Sequence, residues 1–220
     1  MSEPKKTAAV FGASGLIGSE VVKLLAADTK YEKVKLFTRR PLHINLPSVE
    51  EHIIDFNKID QYAEEIRADH VFCCLGTTAK KTPDRKIYEN IDLHWPVNIS
   101  QVCKRNGSEA FTVISSIGAN PDSSAFYLRT KGLMEKGVLH SEVSKTIIVR
   151  PSFLLGRRAE SRFGEGFAIS VAGLFSFIMV GHLKKYKPIQ AFEVARAMIF
   201  AANHDTGKSI FESHELLHLV

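Results

Sequence analysis

Apolar runs and helical stripes alternate along the first two thirds of the chain. "TAAVFGA" (7–13) is a continuous apolar run ending in glycine, and "GLIGSEVVKLLAAD" (15–28) follows it with Leu16, Val21, Leu24 and Leu25 at helical spacing. "KVKLFTRR", "EHIIDF", "HVFCCLGTT", "AFTVISSIG" and "KTIIVRPSF" read as five further strands. "RKIYENIDLHWPVNISQVCKRNG" reads as a long helix interrupted at Pro96 and stopped at Gly107, and "SSAFYLRTKGLMEKG" opens another. Short apolar strands separated by helices predict a parallel sheet covered on both faces, because parallel strands need crossover connections. The expected fold class is therefore α/β, a doubly wound parallel-sheet Rossmann fold in a single domain. Residues 1–155 supply the core, and 156–220 read as a small, mostly helical portion packed on it and covering the substrate. Within that portion "FEVARAMIFAANHD" is amphipathic, with Val194, Ala197, Met198 and Ala201 inward.

Composition narrows the partners. A chain of 220 residues, 45% hydrophobic and 24% charged, suits one large globular domain. The net charge is +5, but its paired basic residues at 39–40, 80–81, 157–158 and 184–185 are scattered. With no basic helix or aromatic-basic alternation, nucleic acid is not an expected partner. Cys73 and Cys74 are adjacent in a strand run and should point to opposite faces, so with Cys103 they read as thiols that pack in a reducing compartment. "MSEPKK" lacks the apolar stretch of an export signal, which leads to an expectation of a cytoplasmic protein. Residues 166–183, "GFAISVAGLFSFIMVGHL", hold no acidic or basic side chain if histidine is neutral. They read as a buried or dimer-forming helix over the pocket, with peripheral membrane or protein contact as the alternative, and the chain as a monomer or homodimer. His214 and His218 are four apart but without a supporting acid, so no metal is expected.

The first strand turn carries the cofactor signal. "FGASGLIG" places Gly12, Gly15 and Gly18 between a strand and a helix, with Ser14, Leu16 and Ile17 in the same turn. A dinucleotide site needs a tight turn, close backbone approach to the pyrophosphate and a helix N-terminus with free N–H groups. Strand two ends in "LFTRRP", with Arg39 and Arg40 where an NAD site usually has an acid, and arginine suits a 2′-phosphate. The expected cofactor is NADP(H), with Arg39 as the better phosphate ligand and Arg40 either stacked on adenine or in solvent. Asp55 and Phe56 end the third strand beside the adenine, and Leu75, Gly76 and Thr77 follow strand four beside a ribose. Pro151, Phe153 and Leu154, after strand six, complete the cofactor-binding set.

Tyr127 and Lys131 stand four apart on the helix after strand five, but Tyr31 and Lys35 repeat the spacing. Position separates them. The second pair enters strand two at the edge opposite the cofactor turn and is expected at the surface, whereas residues i and i+4 of a helix share a face. The glycine triplet, the serines of "VISSIGA", Tyr127-x-x-x-Lys131 and "VRPSFLLG" occur in order, and the chain resembles an atypical short-chain dehydrogenase/reductase. More narrowly, "CLGTTAKK", "SSIGAN…SSAFYLRTKGLMEK" and "RPSFLLGRRAESRFGE" resemble the Tat-interacting-protein (CC3) group and its bacterial relatives. That resemblance implies NADPH binding and offers no settled substrate. "CCLGTT" departs from the Asn-Ala-Gly of the short single-domain reductases, which weakens transfer of a substrate from them.

The chemistry then falls on named positions. A phenol ionises near pH ~10, and an adjacent ammonium favours its ionised form. Tyr127 is expected to exchange the proton, Lys131 to hold the ribose hydroxyls, and Ser116, with Ser115 as fallback, to polarise a carbonyl. Asn90 and Asp92 are candidates for a proton relay. The sequence points to an NADP(H)-dependent oxidoreductase on a small-molecule carbonyl or alcohol. An NADPH-binding regulatory protein with little catalysis and a nucleotide-sugar epimerase-like enzyme remain open beside it.

Overall fold

The computed structural model describes residues 4–155 and 187–219. Its main strands are β1 (Lys6–Phe11), β2 (Tyr31–Thr38), β3 (Val49–Ile53), β4 (His70–Cys73), β5 (Ala110–Ile114) and β6 (Thr146–Arg150). β7 (Leu154–Leu155) and β8 (Ile189–Gln190) form a separate two-stranded parallel patch, and β9 (Ile210–Glu212) follows late in the chain. The helices are α1 (Leu16–Ala27), α2 (Ala63–Ile66), α3 (Arg85–Glu89), α4 (Trp95–Asn106), α5 (Phe126–His140), α6 (Ala191–Asn203) and α7 (Ser213–Leu216).

Among the described residues seven strands build one parallel sheet, in the order β3-β2-β1-β4-β5-β6-β9. The order reverses between β1 and β4, so the crevice at the carboxyl edge opens there, directly above the glycine turn. The described tail is mostly helical, as expected, and adds one short strand: the three residues of β9 pair with β6 and form the edge of the sheet on that side.

Both faces are covered. α1 and α6 lay Val21, Leu25, Val194 and Met198 against one face, while Ile99, Val102, Met134 and Val138 of α4 and α5 cover the other. Each such fully buried side chain contributes about 1.5–3 kcal/mol of transfer free energy. Cys73 and Cys74 do point to opposite faces. Burial pushes the Cys73 thiol up to about 12, which fits a packing role.

Pro96 shapes the helix that reaches the site. Without an N–H it has nothing to give the carbonyl of Asp92, and the preceding turn, Asn90–His94, widens to a π-helix in which the Trp95 N–H reaches back to the Asn90 carbonyl. Gly107 ends the helix at φ +71°, its N–H bonded to the Lys104 carbonyl at 3.1 Å.

Tyr31 overturns its expected place at the surface. It is buried at the amino edge of the sheet, its hydroxyl accepting from Asn203 Nδ2 at 2.8 Å and hydrogen-bonded to His70 Nδ1 at 2.7 Å. Burial raises its pKa. Lys35 is half-buried and donates to the carbonyls of Glu65 and Arg67. The pair is therefore two separate structural anchors. No helix among the described residues is long and apolar enough to cross a membrane, and the 166–183 segment lies outside them.

Candidate active site

The glycine turn fits a dinucleotide closely. Gly12 lies at φ +83°, and a Cβ there would fall 2.6 Å from the Cys74 carbonyl oxygen. At Gly18 a Cβ would fall 2.2 Å from the Gly12 oxygen. Both positions exclude any side chain, so the backbone of the turn is held against the end of β4 and the first turn of α1. Gly15 caps α1 without a side-chain hydrogen bond, and Ser14 and Gly15 are exposed. Backbone N–H groups with the positive end of the helix dipole are thus presented to a phosphate, while Ile17 turns into the core and Leu16 stays half-buried.

Along the crevice the adenine side comes next. Arg39 and Arg40 are exposed at the end of β2, the Thr38 hydroxyl fixing their turn by donating to the Arg40 carbonyl at 2.9 Å. The Arg39 guanidinium stands 5.9 Å from the Trp95 ring centroid. Asp55 is spent locally, accepting from the Asn57 N–H as the cap of the short 3₁₀ helix Phe56–Tyr62. Phe56 departs from the sequence expectation: its ring is buried against Phe11 and Trp95, so the side chain belongs to the core and is not available to adenine.

Three elements converge at the carboxyl edge of the sheet, beside the loop after β4. Lys131, on the second turn of α5, is buried and pairs with the equally buried Asp92 at 2.8 Å. Asp92 projects from the π-helical turn and also accepts from the Thr77 N–H at 2.8 Å, tying the loop after β4 to the same carboxylate. Gly76 completes the cluster, its missing Cβ lying 3.5 Å from Asp92 Oδ1 and 3.9 Å from Lys131 Nζ, and Leu75 beside it is half-buried. Burial alone would depress Lys131, but the charges of Asp92 and Tyr127 more than offset it, and its pKa is raised. Tyr127, one turn earlier, is 42% exposed and open to a substrate. Of Asn90 and Asp92, it is Asp92 that reaches the lysine.

The two serines part company. Both are buried, but Ser115 donates to Glu135, which also binds Arg150, whereas among the described residues the Ser116 hydroxyl makes a single long hydrogen bond, 3.3 Å, to the Ile117 carbonyl. After β6, Pro151 is buried, Leu154 half-buried and Phe153 70% exposed at the same edge, the Phe153 carbonyl accepting from the Ile189 N–H. Sequence reading missed Glu135 and Arg150. The signal for Glu135 was present, since it continues the Tyr127 and Lys131 face by one more helical turn.

Comparison with known proteins agrees with this geometry. A family described as NAD(P)H-binding matches residues 12–165. Protein HTATIP2 of Rattus norvegicus is 34% identical over 167 residues, covering 74% of this chain and 69% of that protein. "Protein FMP52-1, mitochondrial" of Scheffersomyces stipitis is 30% identical over 97% of this chain and 98% of its own. Among solved structures, the Bordetella bronchiseptica enzyme WbmH in complex with NAD+ superposes with a TM-score of 0.72 at 17% identity, over 94% of this chain and 75% of that one. The fungal FMP52 relatives are named mitochondrial, which overturns the expectation of a cytoplasmic protein drawn from the N-terminal residues. The glycine cradle, the parallel sheet and these matches together lead to one conclusion: the chain belongs to the NAD(P)H-binding family, as an atypical short-chain dehydrogenase/reductase related to the Tat-interacting-protein (CC3) group.

Proposed function

We propose that the protein is an NADP(H)-dependent oxidoreductase acting on a small carbonyl or alcohol. The observation that carries this reading is the cluster of Tyr127, Lys131, Asp92 and Gly76 at the carboxyl edge, in line with the glycine turn. A nicotinamide cofactor supplies the hydride chemistry when bound. Tyr127, exposed on the first turn of α5, gives or takes the proton at the substrate oxygen. Lys131 stays charged through Asp92, holds the ribose hydroxyls and stabilises negative charge on the phenol oxygen. Ser116, whose hydroxyl has only a weak partner, donates to the substrate carbonyl. Preference for the 2′-phosphate form is supported by Arg39 and Arg40, two exposed guanidiniums at the end of β2.

The test is cofactor consumption with a panel of aldehydes, ketones and quinones, run with NADPH and with NADH. Turnover with NADPH that disappears in Tyr127→Phe while NADPH binding persists supports the reading. Full turnover by Tyr127→Phe would remove the tyrosine from the mechanism. Tight NADPH binding without turnover of any member would favour the regulatory alternative.

A further inference from the structure

We infer that Glu135 is a positioning residue that takes up the Ser115 hydroxyl and so fixes the turn that presents Ser116 to the substrate. The inference rests on the oxidoreductase reading and deepens it. Glu135 is buried on α5, one helical turn beyond Lys131 and on the same face. Three donors converge on its carboxylate: the Ser115 hydroxyl, Arg150 Nε at 2.9 Å, and Arg150 Nη2 at 2.6 Å. The same guanidinium reaches Glu212 of β9 at 2.9 Å and the Ala119 carbonyl at 3.4 Å.

One carboxylate thus joins the helix carrying the Tyr127 and Lys131 pair to both ends of the serine turn. Successive side chains at the end of an extended segment point to opposite sides. With Ser115 turned inward to Glu135, the neighbouring Ser116 hydroxyl is the one left without a strong partner. The turn is also held by its backbone, the Ser115 N–H donating to the Val149 carbonyl and the Ile117 N–H to the Pro151 carbonyl. Hydrogen bonds to a charged carboxylate are stronger than neutral ones, so Glu135 can hold Ser115 against a competing substrate oxygen. This assigns Ser115 as a strut and Ser116 as the carbonyl donor.

The experiment uses the full chain loaded with NADPH and compares Ser115→Ala, Ser116→Ala, Glu135→Gln, Arg150→Lys and the double variant Ser115→Ala/Glu135→Gln. Against a carbonyl that the panel identifies, Ser116→Ala should lower kcat about 100-fold or more, as loss of an oxyanion donor does. Glu135→Gln and Ser115→Ala should each lower kcat by about tenfold with KM unchanged, and the double variant should be no worse than either single one. Arg150→Lys should fall between Glu135→Gln and the wild type. A wild-type kcat for Glu135→Gln, or Ser115→Ala losing more than Ser116→Ala, overturns the inference. Amide hydrogen exchange decides the point without turnover: Glu135→Gln should speed exchange at Ile117 and Ala119 about tenfold and leave β1 unchanged. Unchanged exchange there refutes the positioning role. A panel without any substrate would instead count against the oxidoreductase reading, leaving the exchange result to stand or fall separately.

Discussion

Replacing Asp92 by Asn tests the centre of the site through stability alone. Lys131 and Asp92 expose only 4% and 1% of their side chains and stand 2.8 Å apart. Removing one partner of such a pair leaves a buried charge uncompensated, at a cost of about 3–5 kcal/mol. Asparagine keeps the shape and an oxygen for the Thr77 N–H, so the loss is assigned to the charge. For a chain of 220 residues each kcal/mol moves Tm by about 2–4 °C, giving a drop of roughly 6–20 °C. Thermal melts followed by circular dichroism at pH 7, without cofactor, measure it. The pH dependence has a definite sign. In the wild type the folded-state pKa of Lys131 is raised, so its contribution is present below 10.5 and lost only as pH rises through the higher folded value. In Asp92→Asn the aspartate no longer offsets burial, so the folded-state pKa of Lys131 falls relative to the wild type and the stability gap narrows towards pH ~10. The double variant Asp92→Leu/Lys131→Met should recover most of the lost Tm. If Asp92→Asn melts within about 2 °C of the wild type, the lysine does not depend on the aspartate.

Four further outcomes are expected. Gly18→Ala places a Cβ 2.2 Å from the Gly12 oxygen; overpacking of about 1–3 kcal/mol in the phosphate turn should raise the NADPH Kd roughly 5- to 150-fold by fluorescence titration. Arg39→Ala should weaken NADPH by about 1.5–3 kcal/mol, roughly 10- to 150-fold, and leave NADH almost unchanged; equal losses would deny Arg39 the 2′-phosphate. Tyr127→Phe should lower kcat by roughly 10²- to 10⁴-fold with the NADPH Kd intact, read by steady-state kinetics. Burial holds His70 down to about 4, so the unfolded chain takes up its proton first; stability should fall as pH drops from about 6.5 to about 4, and His70→Gln should flatten that slope in urea titrations.

Much of the fold was legible because each buried parallel strand is a short apolar run. The glycine turn was legible because its three glycines answer to backbone contacts within the turn and with the neighbouring end of β4. β9 was not, since three residues among polar neighbours carry no pattern, and only the edge of β6 makes Ile210–Glu212 a strand. Tyr31 misled for a related reason: its partner Asn203 lies 172 residues away, and local spacing holds no trace of it. Phe56 had a strand-end position that suggested a ligand contact, but the 3₁₀ turn that follows swings its ring under Trp95. In the site, helical periodicity exposed Tyr127 and Lys131 as one face. It could not show that Glu135 on that face would capture Ser115, because the bond spans 20 residues and depends on where β5 ends.

Pro96 has a consequence beyond the shape of its own helix. A widened turn inserts one extra residue into the helical repeat and rotates everything before it by about 100° relative to a regular helix. Deleting Leu93 would therefore restore regular winding and turn Asp92 away from Lys131, while leaving every charged group in the chain. The lysine's partner is chosen by an irregularity in the count of residues, and the pair is sensitive to length as well as to identity.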